Sequence, residues 1–358
     1  MAYTTIDNPA DYFNTILWTG NTSTTRSFTG VGFQPDWVWS KQRSTTRGHQ
    51  LMDSVRGANK TLESHSTNAE GNQFSNGYLT SFDSDGFSAT QGSSAFLNFN
   101  ENSGTYVAWN WLAGGTASSN TDGSITSSVS ANTTAGFSIV TYTGSGSNPA
   151  TIGHGLNAVP QVMLLKKRTG SSALSWKVYH KEIGAGKYLI LNSTDAEASD
   201  TTIWNNTTPS SSVFTVGSSD TNNTDDYVVY CFAEKKGYSK FGSYVASGDA
   251  TDANFIYLGF KPSWVMFKKT SGADNWLILD NKRSSSSGKN LVDFHLRANL
   301  SNTESDLSGS DNGVDFLSNG IKLRKNNGEF NASGATYIYM CFAESPFVSS
   351  TGIPTTAR

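Results

Sequence analysis

The chain alternates short apolar runs with clusters of small polar residues along its whole length. The runs last five to eight residues, are rich in Val, Ile, Tyr, Phe and Trp, and are separated by Gly, Asn, Asp and Ser. This spacing is typical of β-strands joined by tight turns, for which Asn-Gly and Asp-Gly supply the positive φ. No window of 12 or more residues follows a helical period. The pattern therefore predicts an all-β protein with little helix.

The strand pattern occurs three times. Each copy opens with a short apolar strand: FNTILWTG from Phe13, FSIVTYTG from Phe137 and, more loosely, FGSYVASG from Phe241. A glycine-containing turn, a proline and an apolar run ending in lysine follow, and a second apolar run closes the copy. The prolines are Pro35, Pro160 and Pro262, the lysines Lys41, Lys166 and Lys268, and the closing runs begin at Tyr106, Tyr227 and Tyr337. Landmarks in a fixed order predict tandem copies of one unit.

A weaker signature in the middle of each copy ends at Glu70, Glu197 and Glu304. From proline to closing tyrosine the copies span 71, 67 and 75 positions, so they differ in loop length rather than architecture. Because proline cannot donate to a strand ladder, we expect each proline at the first position of its strand.

A unit of about 100 residues with many strands favours a two-sheet sandwich over a solenoid coil. We predict three tandem jelly-roll-like β-sandwich domains, 1–113, 137–236 and 237–344, each with its own core. The PDWVWSK and YVAWNWL runs are almost continuously apolar, so these strands should be covered on both faces. The second face would pack against a neighbouring copy or another subunit.

Two segments fall outside this pattern. Residues 114–136 are rich in Gly, Ser and Thr, the composition of a linker or long surface loop. Residues 345–358, SPFVSSTGIPTTAR, contain two prolines and small residues, which predicts an extended C-terminal arm. That arm would be either a frayed terminus or a segment that docks on a neighbouring subunit by strand addition.

Composition and charge exclude several classes of function. Charged residues make up 15% of the chain and the net charge is -3, so no basic field exists to hold nucleic acid. No apolar run reaches the roughly 18 residues of a membrane span. The start, MAYTTIDNPADYF, lacks the basic and apolar regions of a secretory signal. Two cysteines are too few for a disulfide scaffold.

Cysteine and histidine are not arranged as metal ligands or nucleophiles. Cys231 and Cys341 occupy the same position in two copies, where the first copy has Asn110, which predicts small buried hydrophobic residues. No two histidines have ligand spacing on one element. His154, in the turn before a proline strand, should have a structural or solvated role. The histidines are His49, His65, His154, His180 and His295.

The carboxylates of the chain include one near approach to a catalytic pair and two clusters that could bind calcium. Asp83 and Asp85 in FDSDGF are the nearest approach to a glycosidase pair, but their Asp-Gly predicts a hairpin turn. Glu234 and Glu344 end two closing strands, where the first copy has Ala113, and a shared structural bond is predicted for them. The sequence therefore predicts no catalytic residue, no enzyme activity and no cofactor. Calcium at Asp83 or at Asp311–Asp315 stays open.

Exposed aromatic residues are the usual platforms for sugars, but sequence alone does not separate them from core residues. Trp176 and Trp276 sit at matching places, which favours a core position of the unit; the first copy has HQLMD there. Trp204, flanked by polar residues in TIWNNTT, is predicted to be the exposed aromatic. The ligand-binding residues are not predicted.

The segments GFQPDWVWSK, YVVYCFAE and SPFVSSTGIPTTAR carry a family resemblance that extends over essentially the whole chain. The chain resembles uncharacterised virion proteins of marine tailed phages that infect picocyanobacteria and SAR11-type bacteria. The resemblance implies tandem concanavalin A-like (laminin G-like) jelly-roll modules in a tail fibre, receptor-binding or capsid-surface protein, assembled in the host cytoplasm. It carries over no functional residue.

Two functions are therefore expected before any enzymatic one. The first is a tail fibre or tail-associated adhesion protein that binds host-surface glycans, suggested by the sandwich repeats, polar loops and aromatic residues. The second is a capsid decoration or virion-assembly protein that binds other structural subunits through its apolar faces and terminal arm. A glycan hydrolase is the distant alternative. A homo-oligomer is expected, with a trimer plausible for a fibre, although no coiled-coil heptads enforce one.

Overall fold

In a computed structural model the chain folds almost entirely into antiparallel β-sheets. Strands make up 43% of the residues and helices 2%, so the all-β prediction is confirmed. The helical elements described are a 3₁₀ turn, Pro9–Asp11, and one α-helical turn, Ser219–Asn222. The structure describes residues 2–71, 75–170, 174–217, 219–251, 253–284, 290–307 and 313–355.

Repeat 1 contains seven described strands. They are β1 (Phe13–Thr19), β2 (Thr25–Thr29), β3 (Trp37–Gln42), β4 (Gln50–Asp53), β5 (Tyr78–Asp83), β6 (Gly86–Thr90) and β7 (Thr105–Trp111). One sheet has the order β1-β7-β3-β4 and the other β2-β6-β5.

Repeat 2 contains ten described strands. They are β8 (Ser118–Asn120), β9 (Ser127–Asn132), β10 (Phe137–Thr143), β11 (Ala150–Gly153), β12 (Val162–Lys167), β13 (Lys177–His180), β14 (Lys187–Ile190), β15 (Ala198–Ser199), β16 (Val213–Val216) and β17 (Asp226–Phe232). The large sheet has the order β15-β14-β13-β12-β17-β10-β9-β8, and β11 pairs with β16.

Repeat 3 also contains ten described strands. They are β18 (Ser239–Val245), β19 (Phe255–Tyr257), β20 (Phe260–Lys269), β21 (Trp276–Asp280), β22 (Leu291–Val292), β23 (Phe294–Arg297), β24 (Ser305–Asp306), β25 (Val314–Leu317), β26 (Gly320–Leu323) and β27 (Thr336–Pro346). The sheet orders are β18-β27-β20-β21-β23-β24 and β19-β26-β25-β22.

One topology underlies all three repeats. In each, the opening strand pairs with the closing strand, which pairs with the proline-led strand, which pairs with the next strand in sequence. The register differs from the sequence alignment in repeat 3. Phe13 pairs with Trp111, and the residue at the equivalent position of repeat 3 is Ser239, opposite Phe342, rather than Phe241. The alignment is thus shifted by two residues. Because successive side chains of a strand point to opposite faces, Phe241 and Ser239 lie on the same face.

The predicted place of the prolines was wrong by two residues. Pro35 and Pro160 precede their strands, which begin at Trp37 and Val162. Pro262 lies inside β20, where the ladder to β27 is shifted on both sides of it. Both positions avoid a ladder hydrogen bond that proline cannot donate.

The predicted linker 114–136 is also structured. It forms β8 and β9, which add to β10 and extend the large sheet of repeat 2. Its composition resembled a linker because the exposed positions carry hydroxyl groups rather than charges. The division into three independent domains stays a prediction.

Each repeat has a core of its own between its two sheets. Phe87, Phe214 and Phe316 lie in these three cores. A fourth core joins the repeats, because the apolar strands of the three large sheets also pack against each other at the centre of the molecule. The expected second covered face is therefore a contact with the neighbouring copies. The prediction that each repeat has its own core was incomplete, because it did not include the core that the three repeats share.

Aromatic rings join every pair of repeats in this central core. The centroids of Trp37 and Tyr230 lie 4.3 Å apart, those of Trp111 and Trp264 5.8 Å, and those of Phe232 and Phe342 6.0 Å. Large rings contribute much buried apolar area. The three repeats thus form one closed assembly within a single chain.

The C-terminal segment does not extend as predicted. After β27 the chain turns at Gly352, whose φ of +84° favours glycine, and Ser349 N donates to Ile353 O at 2.8 Å. Ser350 N donates to the carboxylate of Asp7 at 2.6 Å. The segment therefore contacts its own chain as far as residue 355, and 356–358 lie outside the described residues.

Candidate ligand-binding groove

The middle signatures of the sequence mark the contacts between repeats. Glu70 N donates to Arg168 O, Glu197 N to Thr270 O and Glu304 N to Arg43 O, at 2.8–3.1 Å. Repeat 1 thus contacts repeat 2, repeat 2 contacts repeat 3, and repeat 3 returns to repeat 1. Equivalent bonds at three successive contacts close a ring of repeats.

A buried ion cluster holds repeat 1 to repeat 2. Arg56, whose side chain has no exposed surface, pairs with Asp53 and, at 3.0 Å, with Glu70. Glu70 also accepts two hydrogen bonds from Arg168, at 2.9 and 3.1 Å. The Tyr230 hydroxyl donates to Asp53 at 2.7 Å. Burial opposes ionisation of Glu70, but the two guanidinium groups prevail and lower its pKa.

The contact between repeats 3 and 1 has the same design. Arg283 pairs with Asp280 at 2.5 Å and with Glu304 at 2.8 Å, and Arg43 binds Glu304 through two nitrogens. Trp109 replaces the tyrosine and donates its indole N–H to Asp280 at 2.9 Å. In both clusters, arginines and carboxylates alternate, and each buried charged group forms several hydrogen bonds that offset the cost of its burial.

The contact between repeats 2 and 3 is built differently. His180 and Ile183 occupy the places of the aspartate and arginine, and Thr270 occupies that of the arginine across the interface. His180 Nε2 lies 3.3 Å from Tyr339 O, and burial lowers its pKa to about 3. This contact is therefore mainly apolar, and the ring is chemically asymmetric.

Two of the three repeated lysines, Lys166 and Lys268, bond across the contacts between repeats, whereas Lys41 donates to Gln42 O in its own repeat. Lys166 Nζ donates to Thr67 O at 2.7 Å, and Lys268 Nζ donates to Thr194 O at 3.0 Å, in each case reaching the preceding repeat. Burial lowers the pKa of Lys41 and Lys166 to about 7 and that of Lys268 to about 8. Their partners are mostly backbone carbonyl oxygens, so these lysines have structural positions.

A polar groove lies beside the first ion cluster. Its cavity volume is about 390 Å³. Ser119, Ser128 and Thr141 are directly opposite one another on β8, β9 and β10, so their side chains form a row across one face of the sheet. Residue Ile139 of the same face lies in the central core. The groove is therefore the continuation of the inner sheet face past the edge of repeat 1. It is lined by Ser119, Thr126, Ser127, Ser128, Thr141, Tyr142, Thr143, Arg168 and Asp226.

Some groove hydroxyls are used by the fold and others are free for a ligand. Ser127 donates to Gly153 O at 2.8 Å, and Thr143 donates to Asp226 at 2.7 Å. Within the described residues, no side-chain hydrogen bond occupies the hydroxyls of Ser119, Thr126, Ser128 and Thr141. Arg168 adds a guanidinium group whose orientation is fixed by Glu70. Such a surface suits a ligand with many hydroxyl groups.

The sequence did not reveal the groove because two of its strands, β8 and β9, lie in the predicted linker. A weak signal was present: Ile125, Val129 and Ala131 are apolar and share one face of a strand, and the positions between them carry hydroxyl groups. Which face of β8 and β9 is accessible to a ligand depends on how far repeat 1 covers the sheet in space. That extent follows from the packing of repeats rather than from local pattern.

The aromatic residues singled out in the sequence are buried. Trp176 and Trp276 donate their indole N–H groups to Glu63 O and Ile190 O of the preceding repeat, both at 2.9 Å, as their core assignment requires. Trp204, predicted to be exposed, has 1% of its surface accessible. That prediction was wrong because the indole packs on Tyr179, with ring centroids 5.9 Å apart, inside the core of repeat 2.

In repeat 1, His49 takes the place of these tryptophans. Its Nδ1 accepts from the Trp39 indole N–H at 2.8 Å, so Nε2 carries the proton and donates to Arg297 O at 3.0 Å. His154 is buried and bonded to backbone groups of Ser210 and Leu156, a structural role. Burial lowers the pKa of all five histidines: His49, His65, His154, His180 and His295.

The remaining polar candidates also have structural partners. Cys231 and Cys341 are free and buried, in the cores of repeats 2 and 3, as predicted. Asp83 and Asp85 lie at the β5–β6 turn, as predicted. Asp83 accepts from two serine hydroxyls, and Asp85 accepts from the backbone N–H groups of two glycines. Asp315 pairs with Arg324, whereas 311 and 312 lie outside the described residues.

Glu234 and Glu344 do not share one bond. Glu234 pairs with Lys181 at 3.3 Å and accepts from Phe241 N, whereas Glu344 pairs with Lys261 at 2.7 Å. Both have lysine partners, but these lysines are not at equivalent positions. Within the described part of the chain, no group of three His, Cys, Asp or Glu side chains is placed to hold a metal ion. No helix there is long and apolar enough to cross a membrane.

Residues 8–346 match the model of a family described as "Domain of unknown function (DUF7483)". The chain belongs to this family. The matched region begins just before β1 and ends at the last residue of β27, so one family model spans the whole ring of repeats. No curated protein and no solved structure matches the chain.

Proposed function

We propose that the protein is a non-enzymatic adhesion protein of a virion, a tail fibre or tail-associated component, that binds host-surface polysaccharide in the groove beside β8, β9 and β10. The virion setting rests on the sequence resemblance to marine phage proteins. The binding role rests on the groove.

One observation carries the binding role: a row of unoccupied hydroxyls runs across three adjacent strands next to a fixed guanidinium group. Ser119, Ser128 and Thr141 present donors and acceptors on one rigid sheet face, and Arg168 flanks them. Rigid strands hold these groups without the entropy cost of ordering a loop. Sugars, which are rich in hydroxyl groups, match this surface. The neutral hydrogen bonds also persist at the ionic strength of seawater, where exposed ion pairs are screened.

The groove favours binding over cleavage. Asp226 is the single carboxylate among its lining residues, and it accepts a hydrogen bond from Thr143. Glycoside hydrolysis ordinarily uses two carboxylates across the scissile bond. The nearby carboxylate of Glu70 is held ionised by two arginines, which suits an ion pair rather than a general acid.

The assembly alternative receives less support from the structure. It was suggested by strands apolar on both faces and by the C-terminal arm. The second apolar face packs in the central core, and the arm contacts Asp7 of its own chain. A protein with these surfaces already covered has less apolar area left for other subunits. A homo-oligomer, including a trimer, remains a prediction.

The binding proposal is tested with the purified full chain on a glycan array that carries neutral and acidic cell-surface polysaccharides of marine bacteria. A Ser128→Ala/Thr141→Val variant removes two hydroxyls with little change in shape. Because each lost hydrogen bond costs about 0.5–1.5 kcal/mol, we expect roughly tenfold weaker binding. Thr29→Val, an exposed threonine on β2, is the matched control and should bind like the wild type.

Three results would contradict the proposal. The first is no binding to any array at any multivalency, and the second is unchanged binding by the groove variant. The third is antibody labelling that decorates the capsid and leaves the tail bare, which would favour the assembly function. Release of reducing ends from a bound polysaccharide would favour the hydrolase.

A further inference from the structure

A second surface, centred on β19 of repeat 3, combines exposed aromatic rings with lysines that form no ion pair among the described residues. We define the aromatic–lysine patch as Tyr3, Phe255, Tyr257, Lys236 and Lys240. Phe255 and Tyr257 leave 45% and 52% of their surface exposed, although most large hydrophobic residues of the chain are buried. Both lie on β19, an edge strand, two positions apart and therefore on the same face.

The patch is built rather than accidental. The hydroxyls of Tyr3 and Tyr257 are hydrogen-bonded, and Tyr3 also donates to Gly259 O at 2.7 Å. Gly259 has a φ of +79°, and a Cβ there would lie 2.5 Å from the Tyr3 hydroxyl. The ring of Phe255 lies over Gly320 of the neighbouring strand, where a Cβ would come within 2.8 Å of it. Two glycines thus make room for the exposed rings.

Two lysines give the patch a positive charge. Lys236 Nζ lies 4.4 Å from the centre of the Tyr3 ring, and Lys240 Nζ lies 5.2 Å from that of Tyr257. Within the described residues neither lysine forms an ion pair, although the chain as a whole has a net charge of -3. Unpaired ammonium groups beside flat rings attract an anionic ligand that can also stack.

The edge strand itself disfavours an added peptide strand. Lys240 Nζ donates to the backbone oxygen of Tyr257 at 2.9 Å, which occupies an acceptor that a pairing strand would need. A lysine placed on an edge is a common protection against strand addition. The side-chain face of the patch remains available, so its occupant has to bind by stacking and by charge.

We infer that the aromatic–lysine patch is a second binding site, specific for an acidic polysaccharide that carries carboxylate or sulfate groups. Sugar rings pack on Phe255 and Tyr257, and the acidic groups pair with Lys236 and Lys240. The patch shares no residue with the hydroxyl groove: its aromatic strand β19 belongs to repeat 3, whereas the groove residues lie on repeat 2. One chain would therefore engage a host polysaccharide at two points, and linking two sites strengthens binding by raising the effective concentration.

The test measures binding of the full chain to dextran sulfate and to dextran, which share one backbone and differ in charge. Tyr257→Ala should weaken dextran sulfate binding about tenfold, which corresponds to about 1.4 kcal/mol. Lys236→Gln should weaken it severalfold. Lys282→Gln, at an exposed lysine outside the patch, and the groove variant Ser128→Ala/Thr141→Val should bind dextran sulfate like the wild type. Unchanged melting temperatures of all variants confirm that they fold.

Five outcomes would overturn the inference, four of them with the dextran probes. These four are no binding of dextran sulfate, equal binding by Tyr257→Ala and wild type, equal affinity for dextran and dextran sulfate, and complete loss of binding at about 0.5 M salt, which indicates charge alone. Binding of polyglutamate as tight as that of dextran sulfate would likewise assign the patch to an acidic peptide. Binding at the groove is measured separately, with neutral polysaccharides and the groove variant. A negative result for the patch therefore leaves the proposed function intact, and a negative result for the groove leaves the patch inference intact.

Discussion

Replacement of Arg56 by methionine tests whether the buried ion clusters hold the ring of repeats together. Arg56 has no exposed side-chain surface and binds Asp53, Glu70, Leu51 O and the Tyr230 hydroxyl. Methionine fills much of the same space but leaves a buried carboxylate without its main partner. Breaking a buried pair in this way costs about 3–5 kcal/mol. This is a large fraction of the roughly 5–15 kcal/mol that stabilises a typical protein.

The assay is thermal unfolding followed by calorimetry. For a chain of 358 residues, an unfolding entropy of about 2.1 cal/mol/K per residue converts that loss to a fall in Tm of roughly 4–7 °C. The matched control is Lys181→Met, which also removes one positive charge, but from a side chain that is 34% exposed. Its ion pairs with Glu182 and Glu234 are worth about 1 kcal/mol or less, so Tm should change by less than roughly 2 °C.

A second variant separates a stranded charge from lost packing. Asp53→Asn/Arg56→Met keeps an oxygen for the backbone N–H groups of Val55 and residue 56 but removes the negative charge. It should therefore be more stable than Arg56→Met alone. Salt should not reduce the difference between wild type and Arg56→Met, because buried pairs are screened much less than exposed ones. A Tm for Arg56→Met that falls no further than that of Lys181→Met would refute the reasoning.

Three further predictions follow from buried titratable groups. The guanidinium groups of Arg168 and Arg56 lower the pKa of Glu70 despite its burial. The stability that ionised Glu70 contributes is therefore present above its unfolded pKa of about 4.3 and is lost as pH falls through the lower folded value. Tm measured from pH 6 to pH 2.5 should fall less steeply in Glu70→Gln than in the wild type. Burial lowers the pKa of Lys166 to about 7, so the unfolded state binds more protons between about pH 7 and 10, and stability should rise with pH across that window and rise less in Lys166→Met. Burial raises the pKa of the Cys231 thiol, so a thiol reagent should label the native chain far more slowly than the chain in denaturant, and rapid native labelling would contradict the buried position.

The sequence by itself determined the fold class and the existence of three copies. Strand length, turn residues and side-chain alternation are local properties, so runs such as FSIVTYTG and the hairpin at Asp83 could be assigned without the rest of the chain. The proline, lysine and glutamate landmarks could be aligned because they recur in the same order in each copy. Burial of Cys231 and Cys341 also followed from their place in a doubly apolar strand.

Tertiary structure alone decided how the copies associate and where a ligand could bind. Glu70, Glu197 and Glu304 were visible as a signature, but their partners lie on another repeat, at distances in sequence that no local pattern encodes. Trp204 was misjudged because its polar neighbours describe its loop and not the core beneath it. The groove exists because β8 and β9 extend a sheet beyond the edge of repeat 1, so its open face is set by where one repeat stops covering another. Alternation along a strand fixes which side chains share a face, whereas the packing of the repeats fixes which face meets solvent.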